Sequence, residues 1–176
     1  PAVEEWGMKL LRSVVLLVAV LTLCSCAVRT NQGALAEPTG FRGLAWGAKA
    51  SDRPDLRQVG EDGDETCFVR EGEKYRIGEI EVANIYYCFF QDSFYHARVE
   101  FAPEDFAGIK YLLYLKYGLA DGVDSDPSES EGQLLTHYYW DFPATRVVLT
   151  DSGIINYYST SGTAHWMRAL NVFDDI

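Results

Sequence analysis

The sequence predicts an α+β domain in which helices pack on one face of an antiparallel sheet. Short apolar or alternating segments occur in two groups of three, compact polar turns separate neighbouring segments, and a segment with helical features precedes each group. Strands joined by tight turns pair antiparallel, because a parallel pair needs a long crossover connection. The order helix, three strands, helix, three strands therefore predicts two similar passes through one sheet.

The first pass spans residues 51–101. Residues 51–58 begin with a capping serine, Ser51, which predicts a brief helix that has Pro54 in its first turn. Turns at Gly72 and Gly78 indicate a short pair of strands within this pass. The three predicted strands of the pass are residues 66–70, 82–91 and 94–101, the last two joined by a polar hairpin turn.

The second pass begins with a helix over residues 104–117. Pro103 stands at its start, Lys116 lies in its last turn, and Gly118 follows as a C-terminal cap. Gly108 inside this helix indicates a close contact, since glycine costs about 1 kcal/mol relative to alanine there. Its apolar residues fall near one face, which predicts packing on a sheet: Phe106, Ile109, Leu112, Leu113 and Tyr117.

After that helix, residues 121–132 are acidic and serine-rich, which predicts a surface loop. The remaining predicted strands are residues 134–141, 146–150 and 154–159, separated by turns at Pro143 and at residues 151–153. Residues 163–173 are compatible with a terminal helix whose inward residues are Trp166, Leu170 and Phe173.

Composition excludes several classes of protein. The 176 residues are 48% hydrophobic and carry a net charge of −11, with 26 acidic against 15 basic side chains. This apolar content is too high for a disordered chain. The negative charge argues against nucleic-acid binding and against polybasic docking on anionic lipid, because both need clustered Lys and Arg.

The N-terminal region has the pattern of an export signal. Met8 is followed by a short basic region and by an apolar run over residues 14–23, which is too short to span a bilayer. The run ends in Leu23-Cys24-Ser25-Cys26, which resembles the lipobox of bacterial lipoproteins, where a small residue precedes the lipid-modified cysteine. Cys26 fits this pattern better than Cys24, because Ser25 is small and Leu23 is not.

This resemblance implies a division of the chain into four parts. Residues 1–7 are upstream sequence, residues 8–25 are a lipoprotein signal peptide, residues 26–40 are the lipidated Cys26 with a flexible tether, and residues 41–176 are one α+β domain. It also implies an envelope protein held at the membrane by its lipid. Because Ala27 rather than aspartate follows Cys26, the outer membrane facing the periplasm is expected if the source has two membranes.

The clearest motif of the mature chain has the form F-x-G-x-x-W-G, at Phe41-Arg42-Gly43-Leu44-Ala45-Trp46-Gly47. With the later Tyr-Gly helix end and tyrosine-rich hairpins, it resembles a group of small exported bacterial proteins of uncharacterised function. The resemblance implies a fold and a location without an activity. Residue chemistry favours packing for Phe41 and Trp46, because large aromatic side chains are usually buried.

Aromatic side chains are concentrated on the predicted strands. An alternating pattern sends Tyr86 and Phe90 to one face of their strand and Tyr87 and Phe89 to the other. Ordinary sheet packing explains such rows, whereas an exposed face would bind a glycan, a peptide or a hydrophobic ligand. The residues that we assign to such a candidate binding face are Tyr86, Phe90, Tyr138 and Tyr158.

Cys67 and Cys88 remain once the lipobox pair is set aside. A disulfide between them and two unpaired buried thiols are both compatible with the sequence, because spacing alone does not place the Cα atoms. Histidines 96, 137 and 165 share no metal-ligand spacing, so we expect neither a metal nor a cofactor.

The sequence contains no G-x-S-x-G nucleophile motif, no Walker phosphate loop and no G-x-G-x-x-G dinucleotide motif. We therefore expect a non-enzymatic, lipid-anchored envelope protein that binds another envelope component, a protein or a glycan, or supports an assembly. The alternative is a secreted hydrolase with a carboxylate or histidine site in an aromatic cleft.

Overall fold

The structure is a computed structural model, and it describes residues 37–127 and 134–161. In chain order the described elements are β1 (Gly40–Phe41), β2 (Leu44–Ala45), β3 (Leu56–Asp62), β4 (Glu65–Arg70), β5 (Arg76–Ile77), β6 (Ile80–Glu81), β7 (Asn84–Phe90), β8 (Ser93–Glu100), α1 (Phe106–Tyr117), β9 (Gly122–Pro127), β10 (Leu134–Asp141), β11 (Thr145–Thr150) and β12 (Ile154–Ser159). Short 3-10 turns occur at Ala50–Asp52 and Pro103–Asp105.

Eight strands form one antiparallel sheet in the spatial order β3-β4-β7-β8-β12-β11-β10-β9. Each half is a four-stranded meander, and the last strands of the two halves, β8 and β12, pair in the middle with Val99 opposite Ile155. Helix α1 carries the chain from the centre of the sheet to the far edge. The hairpins β1–β2 and β5–β6 form two small separate sheets.

The predicted α+β class with two helix-plus-three-strand passes is wrong. Strands account for 52% of the described residues, and these residues contain one helical stretch of 15 residues, 103–117. One helix is about 10 Å across, whereas eight strands spaced about 4.8 Å apart form a much wider sheet. Part of the face on which α1 packs is covered by the two small hairpins instead of by a second helix.

The helix predicted over residues 51–58 does not form. A single 3-10 turn occupies Ala50–Asp52, and strand β3 has already begun at Leu56. Pro54 cannot donate a helical hydrogen bond. The predicted capping residue is used elsewhere, because the amide and hydroxyl of Ser51 donate to the Asp92 carboxylate at 3.0 and 2.8 Å.

The acidic segment predicted as a loop over residues 121–132 begins as a strand. Gly122–Pro127 is β9, the edge strand, and it pairs along the whole first half of β10. Backbone pairing with a neighbouring strand therefore outweighs the turn-like composition of these residues. Residues 128–133 lie outside the described part, and so does the terminal helix predicted over residues 163–173 with Trp166, Leu170 and Phe173.

Helix α1 and its packing agree with the sequence pattern. Ile109, Leu113 and Tyr117 are buried, and the amide of Gly118, at φ +81°, caps the helix by donating to the Tyr114 carbonyl at 2.9 Å. Gly108 lies where the β5–β6 hairpin approaches: a methyl group there would meet the Ile80 side chain at 2.8 Å. The absence of a side chain lets this hairpin pack directly on the helix.

The β1–β2 hairpin, which contains the F-x-G-x-x-W-G motif, joins the two halves of the sheet. The ring of Phe41 lies 5.8 Å from that of Tyr87 on β7 and 4.8 Å from that of Tyr157 on β12. Trp46 stacks on Phe94 of β8 at 4.9 Å, and its Nε1 donates to the Thr145 hydroxyl of β11 at 2.9 Å. Both large aromatic residues of the motif therefore pack against strands from both meanders.

Replacing Trp46 tests this joining role. Trp46→Ala should lower the free energy of unfolding by about 3 kcal/mol, because stacking and a buried hydrogen bond are both lost. Trp46→Phe keeps the stacking and should cost only about 1 kcal/mol. Urea unfolding followed by circular dichroism measures both. Tyr111→Ala, at a side chain that is 62% exposed on α1, is the control and should change little; equal midpoints for Trp46→Ala and the wild type would contradict the assignment.

Candidate ligand-binding cleft

A cleft of about 430 Å³ opens on the helix side of the sheet. Three elements form its walls: the β1 end of the motif hairpin, the β5 end of the second hairpin, and the C-terminal half of α1. The residues that line it are Gly40, Phe41, Arg42, Arg76, Ile77, Gly78, Leu112, Leu113, Lys116, Tyr117 and Tyr157.

The inner part of the cleft is apolar and aromatic. Phe41, Leu113, Tyr117 and Tyr157 are all at least nine-tenths buried. The hydroxyl of Tyr117 is buried and lies next to the hydroxyl of Tyr157. Burial raises the pKa of Tyr157 well above its usual value, and the Tyr117 hydroxyl adds to this effect. The Tyr157 hydroxyl therefore stays neutral on the floor of the cleft.

The polar part of the cleft is cationic. Arg42, Arg76 and Lys116 line it, and none of its described lining residues is acidic. Two of the cations have partners outside the lining, since Arg42 contacts Glu73 at 2.6 Å and Arg76 contacts Glu79 at 2.6 Å. Lys116 differs, because its ammonium group lies 4.9 Å from the centre of the Tyr117 ring and pairs with no carboxylate in the described segments.

Glu73 fixes the position of Arg42. Its side chain is 9% exposed and accepts hydrogen bonds from Arg42 at 2.6 Å and from the Tyr87 hydroxyl at 2.5 Å, with Arg70 at 3.8 Å. Arg42 also donates to the carbonyls of Lys74 and Arg76. Burial alone would raise the pKa of Glu73, but the hydrogen bonds from Tyr87 and Arg42 outweigh burial and hold the pKa below its usual value.

The candidate aromatic face predicted from the sequence is divided by the structure. Tyr86 and Tyr158 lie on the sheet face opposite α1, where Tyr86 is paired with Arg98 and Tyr158 with His96. Phe90 is on the same face, and the centre of its ring is 6.4 Å from that of Tyr95. Tyr138 lies on the helix face, where its ring packs 5.7 Å from Phe106. The four residues therefore do not form one surface.

Cys67 and Cys88 are joined by a disulfide, the first of the two alternatives that the sequence left open. They lie directly opposite each other on β4 and β7. His96 continues this row on β8, where its Nε2 is 3.0 Å from the Asn156 side-chain oxygen and its ring stacks on Tyr158 at 4.5 Å. Burial lowers the pKa of His96. The hydrogen-bond partner of His96 is an amide.

The sequence pattern does not single out the cations of this cleft. Arg42 occupies a variable position of the F-x-G-x-x-W-G motif, and Lys116 has the position of a helix-end charge. Arg76 carried no signal. Cys26, the predicted lipidation site, lies outside the described residues. Among those residues, no helix is long and apolar enough to cross a bilayer.

Glu73→Gln tests the charge network. The folded-state pKa of Glu73 is depressed, so its stabilisation is fully present above the unfolded pKa of about 4.3 and is lost as the pH falls through the lower folded value. Glu73→Gln should lower stability by about 3 kcal/mol at pH 7. It should also lose less stability than the wild type on acidification from about pH 5 to about pH 3. Glu71→Gln, an exposed neighbour, is the control in thermal unfolding; identical pH profiles for all three proteins would exclude the network.

Comparison of the chain with protein-family models, with curated proteins and with solved structures finds no match. The likeness of the F-x-G-x-x-W-G segment to small exported proteins therefore stays a prediction.

Proposed function

We propose that this chain is a lipid-anchored envelope protein whose folded domain is a binding module for a small anionic amphiphile. The observation that carries the proposal is the cleft, which combines three cationic side chains with an apolar floor. None of its described lining residues is acidic. The ligand is defined by its chemistry: a carboxylate or phosphate group joined to a short hydrocarbon chain.

The charge of the cleft argues for an anionic group on the ligand. The chain carries 26 acidic and 15 basic side chains, so a cleft lined by three cations is a local reversal of its overall charge. Lys116 has an ammonium group free of ion pairs with described carboxylates, and Arg42 is held in place by Glu73. A preorganised guanidinium beside a free ammonium group suits a carboxylate or phosphate.

The size and floor of the cleft argue for an apolar tail. Small-molecule sites are usually about 300–1,000 Å³ with mainly apolar walls and few polar groups, and a volume of about 430 Å³ lies in this range. Leu112 lines the cleft, and Leu115, one helical turn further, is 62% exposed. An apolar surface therefore continues outward from the cleft along α1, as a hydrocarbon chain would require.

The lipid anchor is the second part of the proposal. Cys26 precedes the first described residue, Glu37, by eleven residues, which reach at most about 40 Å when extended. Glu37 and Pro38 contact β11 and the turn before it, through Ala144 and the Thr145 hydroxyl. Such a tether would keep the domain near a bilayer, where amphiphiles of this kind are concentrated.

Binding of decanoate and decanol tests the cleft. Isothermal titration calorimetry should show saturable binding of decanoate and at least tenfold weaker binding of decanol, because a charge-assisted contact contributes about 1.5–3 kcal/mol. Lys116→Gln should weaken decanoate binding by about the same factor. Lys110→Gln is the matched control, since Lys110 lies on the same helix over the rings of Phe106 and Tyr138. Equal losses for both lysine variants, or no saturable decanoate binding, would contradict the proposed ligand.

Fractionation of cells tests the anchor independently. Cys26→Ala should move the protein from the membrane to the soluble fraction, because lipid chains supply the membrane affinity. Cys24→Ala should leave the protein at the membrane and serves as the control. Membrane retention of the Cys26→Ala variant, or an unmodified Cys26 in the mass spectrum of the wild-type protein, would refute lipid attachment at this residue.

A further inference from the structure

A second group of reactive side chains lies on the sheet face opposite α1, away from the cleft. Cys67 and Cys88 are paired across β4 and β7, and Glu65 stands two residues before Cys67, so its side chain is on the same face. One Glu65 carboxylate oxygen is 3.2 Å from the Cys67 sulfur. The two sulfurs and the carboxylate oxygen all lie within 4.8 Å of one another.

The Glu65 carboxylate is held in this position by a second contact. Its other oxygen accepts a hydrogen bond from the Tyr95 hydroxyl at 2.6 Å, and Tyr95 is 3% exposed. Such an outer hydrogen bond is the usual means by which a ligating carboxylate is oriented.

There is space for an ion next to these groups. A cavity of about 340 Å³ is lined by Glu65, both cysteines and His96, together with Tyr86, Arg98, Glu100, Val59 and Gly60. Cys67 is partly exposed, so a thiol reagent can reach its sulfur. His96 is opposite Cys88 in the ladder and lines the cavity.

We propose that reduction of the Cys67–Cys88 disulfide creates a Zn²⁺ site formed by the two thiolates and the Glu65 carboxylate. A dithiol reductant transfers two electrons and two protons to the disulfide, giving two cysteine thiols and the oxidised reductant. Binding of Zn²⁺ then displaces the two thiol protons to solvent. The disulfide is the metal-free state of the same residues.

The donor set determines the choice of metal. Thiolates are soft ligands and a carboxylate is a hard ligand. Zn²⁺ binds both types, whereas Ca²⁺ and Mg²⁺ require oxygen donors throughout. Water or His96 completes the coordination. Sequence spacing gives no sign of this site, because Glu65 and Cys67 come from one strand and Cys88 from another that follows after an inserted hairpin.

Equilibrium dialysis against Zn²⁺ tests the proposal with the oxidised and the reduced chain carrying Cys24→Ser and Cys26→Ser, in which Cys67 and Cys88 are the only cysteines. Reduction with a phosphine, which is then removed under argon, should yield about one tightly bound Zn²⁺ per chain, and the oxidised chain should bind none in this site. Zn²⁺ should raise the Tm of the reduced protein only. With Co²⁺ as a second probe, the reduced protein with serine at positions 24 and 26 should show a sulfur-to-metal charge-transfer band.

Two variants assign the ligands. Glu65→Gln should weaken Zn²⁺ binding by at least tenfold, whereas Glu61→Gln, on β3 in the adjacent row of the sheet, should bind as the wild type does. Circular dichroism of each reduced variant verifies that it is folded. Absence of the Co²⁺ charge-transfer band in the reduced protein with serine at positions 24 and 26 would overturn the proposal. Unchanged Zn²⁺ affinity in folded Glu65→Gln would overturn the assignment of the carboxylate.

Discussion

The position of Phe41 between Tyr87 and Tyr157 is the contact on which the rest of this structure depends. The two tyrosines belong to different meanders of the sheet, and the Phe41 ring contacts both. Phe41 belongs to a hairpin whose two strands are only two residues long. A hairpin this small is not stable alone, so packing of its aromatic residues on the sheet holds it in place. The same contact closes one wall of the cleft and sets the path of the following residue, Arg42.

The packing of Phe41 places the next residue, Arg42, where its side chain can form an ion pair. Its backbone has a left-handed φ of +47°, a conformation that a side-chain-bearing residue adopts at some cost. Its guanidinium compensates by contacts with Glu73, with the carbonyl of Lys74 and with the carbonyl of Arg76, the first residue of β5. Removing one member of a buried ion pair usually costs about 3–5 kcal/mol, because the other charge is left uncompensated. The charge network therefore ties the two small hairpins together on either side of the cleft.

The sequence was informative where local chemistry decides the outcome. The Pro103 start, the Gly118 cap and the apolar face predicted α1 within a few residues, and the alternating segments predicted most strands. The sequence-based predictions were wrong where tertiary contacts decide the structure. Ser51 donates a hydrogen bond to Asp92 instead of capping a helix, and the acidic residues predicted as a loop form β9 because they pair with β10. The predicted class failed for the same reason, because local patterns do not show how many strands one helix must cover.

The candidate sites depended even more on long-range contacts. Arg42, Arg76 and Lys116 come from three separate elements, and no spacing in the sequence connects them. Phe90 and Tyr138 could be assigned to strands, but which face each strand turns to the helix follows from the register of the whole sheet.

The most direct test of the account is a titration of the ¹⁵N-labelled protein with decanoate, followed by amide chemical shifts in NMR spectra. Shifts concentrated at Phe41, Arg42, Ile77, Lys116 and Tyr117 are the result that the account predicts. Shifts concentrated on the opposite face, around Tyr86 and Tyr158, or small changes spread over the whole domain, would contradict it.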